Sequence, residues 1–269
     1  MSRPPLGNEN EPVSTPSIIK DVVMGIRFYS RMKVPGFAHV KIQISNITRV
    51  LGFASLAIGF VPALVLFLSL ISGLPVLLGT SFAVAAQIAI TGAMAEDGLA
   101  DSFDGLFGGN NPQKRLLIMK DSTNGTFGVA AIVLLIITRI AAIGALAGIS
   151  AVAAVFLWIG AQILARQSAL WLMVGLKSAR KGGAAANAGE LRSKDFWLGM
   201  ASALLMTTVF SIFFVGFGGM IIAAAIVMLI IVWWTRKCKN LVGGYSGDLI
   251  GGLQAMLEIG ILSGFLLVA

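Results

Sequence analysis

The stretch LGFASLAIGFVPALVLFLSLISGLPVLLGTSFAVAAQIAITGAMA, residues 51–95, contains no charged side chain. A helix needs about 20 apolar residues to cross the hydrocarbon core of a bilayer, so this stretch holds two crossings. The segment Ser72-Gly73-Leu74-Pro75 supplies a tight turn between them. A water-soluble core has no place for an apolar run of this length, and the stretch therefore predicts an all-α integral membrane protein.

The composition and the other apolar runs extend this prediction to most of the chain. Only 12% of the 269 residues are charged, about half the share in an ordinary soluble domain. Further apolar runs lie at about 126–147, 150–176, 196–235 and 248–269. The run 196–235 holds two crossings if it divides near Gly216, so the sequence predicts a polytopic protein with about seven transmembrane helices.

The amino-terminal part differs from the apolar runs. Residues 1–17 are rich in Pro, Ser, Asn and Glu and predict a disordered tail. Between Ser17 and Met32, apolar residues recur at helical spacing among four charged ones, which predicts an amphipathic helix on the membrane surface. We therefore divide the chain into the tail, an amphipathic interfacial segment at 18–50, and a transmembrane catalytic domain at 51–269.

The basic residues predict the orientation. Eighteen of the 20 lysines and arginines lie in the amino-terminal region and in alternate loops, whereas the turns near Gly73, Gly148 and Gly218 have none. The positive side of a membrane protein is cytoplasmic, so we expect a bacterial inner-membrane protein whose long loops and active site face the cytoplasm. The net charge of +8 then reflects orientation and not nucleic-acid binding. One Cys and one His exclude a disulfide framework and a multi-His metal site.

The densest acidic cluster follows the second crossing, in the segment AEDGLADSFDG. Asp97, Asp101 and Asp104 have the spacing i, i+4, i+7, which places them within about 60° of one another on a helix. Three crowded carboxylates repel, and a divalent cation relieves that repulsion. Because only oxygen ligands are present, we expect Mg²⁺ or Mn²⁺ and phosphoryl chemistry. The alternative is a solvated acidic helix end.

The loop after the acidic cluster predicts a short amphipathic helix over residues 113–121, with Asn111 as its N-cap and Pro112 at its first turn. This helix would present basic side chains near the carboxylates, and Asp121 would be a fourth ligand or a base. The alternative is a basic loop held by anionic lipid. The basic candidates for substrate binding on this loop are Lys114, Arg115 and Lys120.

Three ionisable residues, Arg139, Arg166 and Glu258, lie at similar depths inside predicted crossings. Burying a charge at that depth costs free energy unless the charge is paired or hydrated. We therefore expect Glu258 to pair with one arginine while the other faces a water-filled cavity. An anion-binding role for the arginines and a purely structural ion pair both remain open.

Two arginines and one aspartate near the membrane surface are further candidates for substrate binding. Arg31 and Arg180 suit a phosphate clamp, and the alternative for each is anchoring of the positive side. Asp248, in the segment GGYSGD, is the third candidate, and its alternative role is to cap the last helix.

Several motifs resemble one known family. TGAMAEDGLADSFDGLFGG at 91–109, followed by RLLIMKDSTNGTFG at 115–128, resembles the signature of the cobalamin synthase (adenosylcobinamide-GDP ribazoletransferase) family. FYSRMKVP at 28–35 and GGYSGDLIGG at 243–252 resemble two further family segments, so the similarity covers most of the chain. The chain departs from the pattern at Ala95, where many members have histidine; we expect that histidine to be dispensable.

The resemblance implies an activity and its site. The 3′-hydroxyl of α-ribazole or of its 5′-phosphate would displace GMP from adenosylcobinamide-GDP in a Mg²⁺-dependent reaction. Asp97, Asp101 and Asp104 would hold the metal, and Asp121 would position or deprotonate the hydroxyl. We infer in addition, from the residues and not from the resemblance, that phosphate is neutralised by Arg31, Arg166 or Arg180. Membrane lipid is the expected surrounding, and the sequence is compatible with a homo-oligomer.

Two alternative functions stay open at this point. Residues 101–105 match the D-x-x-D-G opening of CDP-alcohol phosphotransferases of phospholipid synthesis, although the rest of that motif is missing. A cation transporter would use the acidic cluster and the buried charges as a path. Binding of the GDP-linked substrate separates the transferase from the transporter.

Overall fold

The computed structural model describes residues 18–34, 42–180 and 189–269, and the predicted tail at 1–17 lies outside them. The described residues form helices and no named β-strand, which confirms the all-α class. The helices are α1 (Ile18–Tyr29), α2 (Ile44–Ile71), α3 (Val76–Thr91), α4 (Met94–Gly108), α5 (Pro112–Ile118), α6 (Thr126–Ile149), α7 (Ala151–Ala169), α8 (Trp171–Gly175), α9 (Ser193–Val242) and α10 (Gly247–Leu266).

Among the described residues, five helical segments are long and apolar enough to cross a membrane: α2, α6, α7 with α8, α9, and α10. The pair α3 and α4 adds a sixth candidate, although its two helices are bent by 84°. The protein is therefore a polytopic membrane protein. Helix α7 lies at the centre of the bundle, where it packs against α2, α6, α9 and α10.

Helix α9 has 50 residues, and a straight helix of that length would extend for about 75 Å. Its two ends nevertheless lie at the same end of the bundle. Gln167, near the end of α7, donates to the carbonyl of Phe196, while Tyr245, just after α9, donates to the carbonyl of Lys177. The chain reverses at Gly216, whose φ of 59° and ψ of −173° are not helical and favour glycine. If α9 counts as two crossings and the bent pair α3 and α4 as one, the described residues form seven crossings, as predicted.

The first crossing begins earlier than the sequence predicts. Helix α2 starts at Ile44, inside the segment 18–50 that we assigned to the interface. Arg49 lies inside α2, and its charge is paired there. Its Nε lies 3.4 Å from Oδ1 of Asp195, at the start of α9. The predicted amphipathic helix is α1, which buries Met24 and Tyr29, leaves Ile18 exposed and packs against α2.

Candidate active site

A sharp bend places the acidic segment on its own helix. Gly92 and Ala93 follow α3 with φ values of 67° and 59°, and Ala93 is the one non-glycine residue with positive φ in the described chain. Left-handed backbone costs an alanine free energy and persists where surrounding contacts hold it. Helix α4 therefore begins at Met94 as a separate helix and runs in a different direction from α3.

Helix α4 crosses α10 in direct backbone contact. A Cβ atom on Gly98 would lie 2.8 Å from the carbonyl oxygen of Asp248 and 3.0 Å from Cα of Gly251. Only glycine permits so close an approach. The crossing brings Asp248, which is distant in sequence, beside the aspartates of α4.

We call Asp97, Asp101, Asp104 and Asp248 the carboxylate cluster. Asp101 lies within electrostatic range of the other three carboxylates and of Arg180. Asp97 is exposed, Asp101 is partly buried and Asp104 is buried. The exposed side of the cluster is thus formed by Asp97 and Asp101, with Asp248 joining them from α10.

Asp104 has hydrogen bonds to the start of α6. Its Oδ2 accepts from the backbone N–H of Gly125 at 2.7 Å, and its Oδ1 accepts from that of Gly128 at 2.9 Å. A carboxylate at this position satisfies donors that have no partner within the helix and interacts favourably with the helix dipole. The predicted metal role of Asp104 stays a prediction, since each of its oxygens already accepts one hydrogen bond.

We expect Asp104→Asn to lower stability, because its amide nitrogen would face a backbone N–H where an oxygen now accepts. A hydrogen bond to a charged group contributes about 1.5–3 kcal/mol, so the loss should appear as a lower thermal unfolding temperature in detergent. The exposed Asp97→Asn is the matched control and should unfold at the wild-type temperature. Equal stability of the two variants would contradict the capping role.

The predicted basic loop forms α5, which ends at Ile118 and not at Asp121. The side chain of Asn111 accepts from the backbone N–H of Lys114 at 2.9 Å, as expected for the N-cap. Nη1 of Arg115 donates to the carbonyl of Leu241 at 3.0 Å and so fixes α5 to the end of α9. Lys114 and Lys120 are exposed on the loop.

Arg180 connects the carboxylate cluster to α5. Its Nη1 lies 3.2 Å from Oδ2 of Asp248, and its Nη2 donates to the carbonyl of Leu116 at 2.8 Å. Both members of the ion pair are about one-quarter exposed. Within the described ranges, Arg180 is therefore the cation that forms an ion pair with the cluster.

Asp121 is exposed, and the contacts of its carboxylate lie within its own turn. Oδ1 accepts from the backbone N–H of Thr123 at 3.0 Å and from its hydroxyl at 2.7 Å. These hydrogen bonds to Thr123, the hydroxyl first, lower the pKa of Asp121 below its ordinary value. The role of Asp121 as a base or ligand stays a prediction.

The predicted ion pair of Glu258 is confirmed, and it belongs to a larger buried network. Nη2 of Arg139 lies 3.0 Å from Oε2 of Glu258, and Nη1 pairs with Glu96. Glu258 also accepts from Nε1 of Trp158 at 2.8 Å and from Nε2 of Gln87 at 3.1 Å. All five side chains are buried. The two carboxylates share one arginine. Glu258 is also satisfied by neutral donors, whereas Oε2 of Glu96 has no hydrogen-bond partner among the described residues.

The guanidinium of Arg166 lies against an aromatic ring, and the water-filled cavity that we expected beside it stays a prediction. Its carbon Cζ lies 5.6 Å from the centroid of the Tyr29 ring, and the residue is 1% exposed. Nε and Nη1 have no hydrogen-bond partner among the described residues. Arg31 is exposed, its backbone N–H donates to the carbonyl of Ile90 at 2.7 Å, and its side chain lies against Gly92.

Sequence reasoning missed Glu96, Gln87, Trp158 and Tyr29. Glu96 had a detectable signal: one residue before Asp97, it points about 100° away from the aspartates, onto a face with Leu99 and Phe103. A carboxylate on an apolar helix face requires a cation. The other three residues had no comparable signal, since Gln, Trp and Tyr occur in apolar runs for many reasons.

The available donors fit magnesium that is shared with a substrate. Within the described residues, no group of three His, Cys, Asp or Glu side chains has the spacing of a complete metal site. Mg²⁺ in proteins is often held by only one or two carboxylates together with substrate phosphates and water. Asp97 and Asp101 supply oxygen ligands of that kind.

Fold and site together define a multi-pass helical membrane protein with a carboxylate cluster at one end of its bundle. A family model described as cobalamin-5-phosphate synthase matches residues 21–266. The chain belongs to this family, which confirms the resemblance recognised in its sequence. No solved structure matches the chain significantly.

Curated relatives agree with the family. The adenosylcobinamide-GDP ribazoletransferase of Azorhizobium caulinodans is 34% identical over 256 residues, which cover 94% of this chain and 97% of the relative. Proteins of the same name from Rhizobium johnstonii and Brucella anthropi are 32% and 30% identical and cover 90% and 93% of this chain. Their lengths are covered to 94% and 98%. The chain is therefore an enzyme of the transferase class that acts in cobalamin biosynthesis.

Proposed function

We propose that this enzyme joins adenosylcobinamide-GDP to α-ribazole or its 5′-phosphate and releases GMP. A ribose hydroxyl oxygen attacks the phosphorus next to the cobinamide, and the bond from that phosphorus to the bridging oxygen breaks. The bridging oxygen and its electron pair leave with GMP, and the hydroxyl proton passes to a base. The observation that carries the proposal is the convergence of Asp97, Asp101 and Asp248 beside Arg180, in a chain of this family.

The carboxylate cluster would share Mg²⁺ with the diphosphate of the substrate. When bound, the ion neutralises charge on the diphosphate and favours departure of GMP. We assign the main ligand roles to Asp97 and Asp101, because Asp104 already accepts two backbone hydrogen bonds. Asp104 holds α4 against α6 and so keeps Asp101 in position.

The cations near the cluster would neutralise the phosphates. Arg180 is the foremost candidate because it contacts Asp248 directly and remains partly exposed. Arg31, Lys114 and Lys120 are exposed and free to approach a phosphate from the loops. Asp121 would orient the attacking hydroxyl or accept its proton. The hydrogen bonds from Thr123 lower the pKa of Asp121, which makes it a weaker base and favours the orienting role.

We infer that the protein lies in the bacterial inner membrane with this site facing the cytoplasm. The loops at the end with the carboxylate cluster are rich in lysine and arginine, as expected for the cytoplasmic side. At the reversal of α9, Phe213 and Phe217 are 89% and 77% exposed, which suits contact with lipid.

The direct test is a GMP-release assay on purified protein in lipid vesicles. We expect release only when adenosylcobinamide-GDP, α-ribazole 5′-phosphate and Mg²⁺ are all present. Lys239→Ala is the control, because this exposed residue lies outside the proposed site and its loss should leave turnover near the wild-type level. Folded protein that releases no GMP under these conditions would contradict the proposal, and ion flux into the same vesicles would favour the transporter.

A further inference from the structure

A cavity of about 200 Å³ opens beside the carboxylate cluster. Asp97 and Asp248 form one side of its lining. The rest is mainly apolar and includes Phe28, Tyr29, Met94 and Met173. The cavity is therefore continuous with the proposed site of phosphoryl transfer, but its walls differ in chemistry from that site.

The lining of this cavity does not suit a phosphate. Among the described residues, the lining holds no lysine, arginine or histidine. The two carboxylates at its edge would repel an anion. Arg180, the cation that contacts Asp248, is not part of the lining. Aromatic rings and the thioethers of methionine instead favour contact with a flat, uncharged aromatic group. The phosphates would thus bind near Arg180, outside this cavity, and the aromatic group would bind within it.

We propose that this cavity binds the aromatic base of the nucleoside acceptor and leaves its ribose at the edge formed by Asp97 and Asp248. This assignment rests on the proposed function, which supplies an acceptor with an aromatic base on a ribose. A base held in the cavity would place the ribose hydroxyl next to the carboxylates that hold the diphosphate. The cavity would then determine which bases the enzyme accepts.

Helix α1 gains a role from this assignment, because it supplies two of the aromatic walls. The rings of Phe28 and Tyr29 meet edge to face with centroids 4.9 Å apart. Tyr29 is in turn held by the buried guanidinium of Arg166 beneath its ring. Arg166 is thus a positioning residue, which fixes the cavity wall through Tyr29 by a cation–π interaction.

The first test separates the two substrates kinetically. We expect Phe28→Ala to raise KM for α-ribazole 5′-phosphate by about tenfold through loss of aromatic contact, with KM for adenosylcobinamide-GDP unchanged. Val22→Ala is the matched control, since Val22 is another partly buried residue of α1 that packs on the core but does not line the cavity. If Val22→Ala has the same effect, or if KM for the GDP substrate rises instead, the assignment is overturned.

A second variant narrows the cavity without disturbing its packing. Gly247 lines the cavity, and a Cβ atom added there would meet nothing within 4 Å. Gly247→Leu should therefore weaken binding of the base more than Gly247→Ala does. Equal KM values for α-ribazole 5′-phosphate in both variants and wild type would contradict occupation of this cavity by the base.

Calorimetric titration with α-ribazole, which has no phosphate, separates the failure of this assignment from failure of the proposed function. We expect wild-type protein to bind the nucleoside and Phe28→Ala to bind it about tenfold more weakly. Binding without any GMP release by wild type would refute the proposed reaction and support the cavity assignment. Absence of nucleoside binding to wild type would overturn the assignment, whatever the turnover.

Discussion

Asp101→Asn should reduce GMP release by about a hundredfold or more, the scale seen when a group that stabilises transition-state charge is removed. Asp101 faces three other carboxylates and Arg180, so its charge acts where the proposed metal and diphosphate meet. The substitution keeps the size of the side chain at a partly exposed position, and we therefore expect unchanged folding. The measurement is GMP release against Mg²⁺ concentration, together with the thermal unfolding temperature.

Ser102→Ala is the control for Asp101→Asn. Ser102 is the next residue on α4 and is buried against α10, close to Gly252. Removal of its hydroxyl should leave both turnover and its Mg²⁺ dependence near the wild-type values. Near-normal turnover of Asp101→Asn would refute the metal-ligand role of this aspartate.

Arg139→Leu should prevent stable accumulation of the protein. The substitution leaves Glu96 and Glu258 buried without their shared cation, and breaking a buried ion pair from one side costs about 3–5 kcal/mol. Glu96 lies in the first turn of α4, directly after the bend that follows α3. We therefore also expect loss of the Arg139–Glu96 contact to destabilise this bend. The measurement is the amount of monodisperse protein in detergent and its thermal unfolding temperature.

Arg236→Leu is the control for Arg139→Leu, since it removes the same side chain from an exposed position on α9. Its unfolding temperature should stay close to that of wild type. A variant at Arg139 as stable as the one at Arg236 would mean that the buried carboxylates do not need this cation.

The sequence predicts the parts of the structure that depend on periodicity and on the cost of charge in lipid. Uncharged runs locate the crossings because lipid excludes charge over about 20 residues of helix. The same cost predicts that Glu258 pairs with an arginine, and Arg139 is that partner. The cap of α5 is predicted as well, because Asn111 and Pro112 act on the turn that directly follows them.

Features that depend on tertiary contacts could not be predicted from one sequence. Gly92 is a local signal for the end of α3, but alanine does not favour the left-handed conformation of Ala93, so the 84° bend that the two residues form could not be predicted. The hydrogen bonds between Asp104 and the start of α6 arise because two segments that are distant in sequence meet. In the sequence, the spacing of Asp104 from the other aspartates is also the spacing expected of a metal ligand. The cavity beside Asp97 likewise combines residues of α1, α2, α4, α8 and α10, which no spacing rule connects.

The contact between α4 and α10 at Gly98 and Gly251 has a consequence for how freely the protein can vary. With no side chain between the two backbones, the carboxylates on the two helices keep their separation when lipid-facing residues change. Lipid-facing side chains can therefore be replaced without a change in the geometry of the carboxylate cluster. The glycines of the crossing do not share that freedom, because a single methyl group there would move Asp248 away from Asp101.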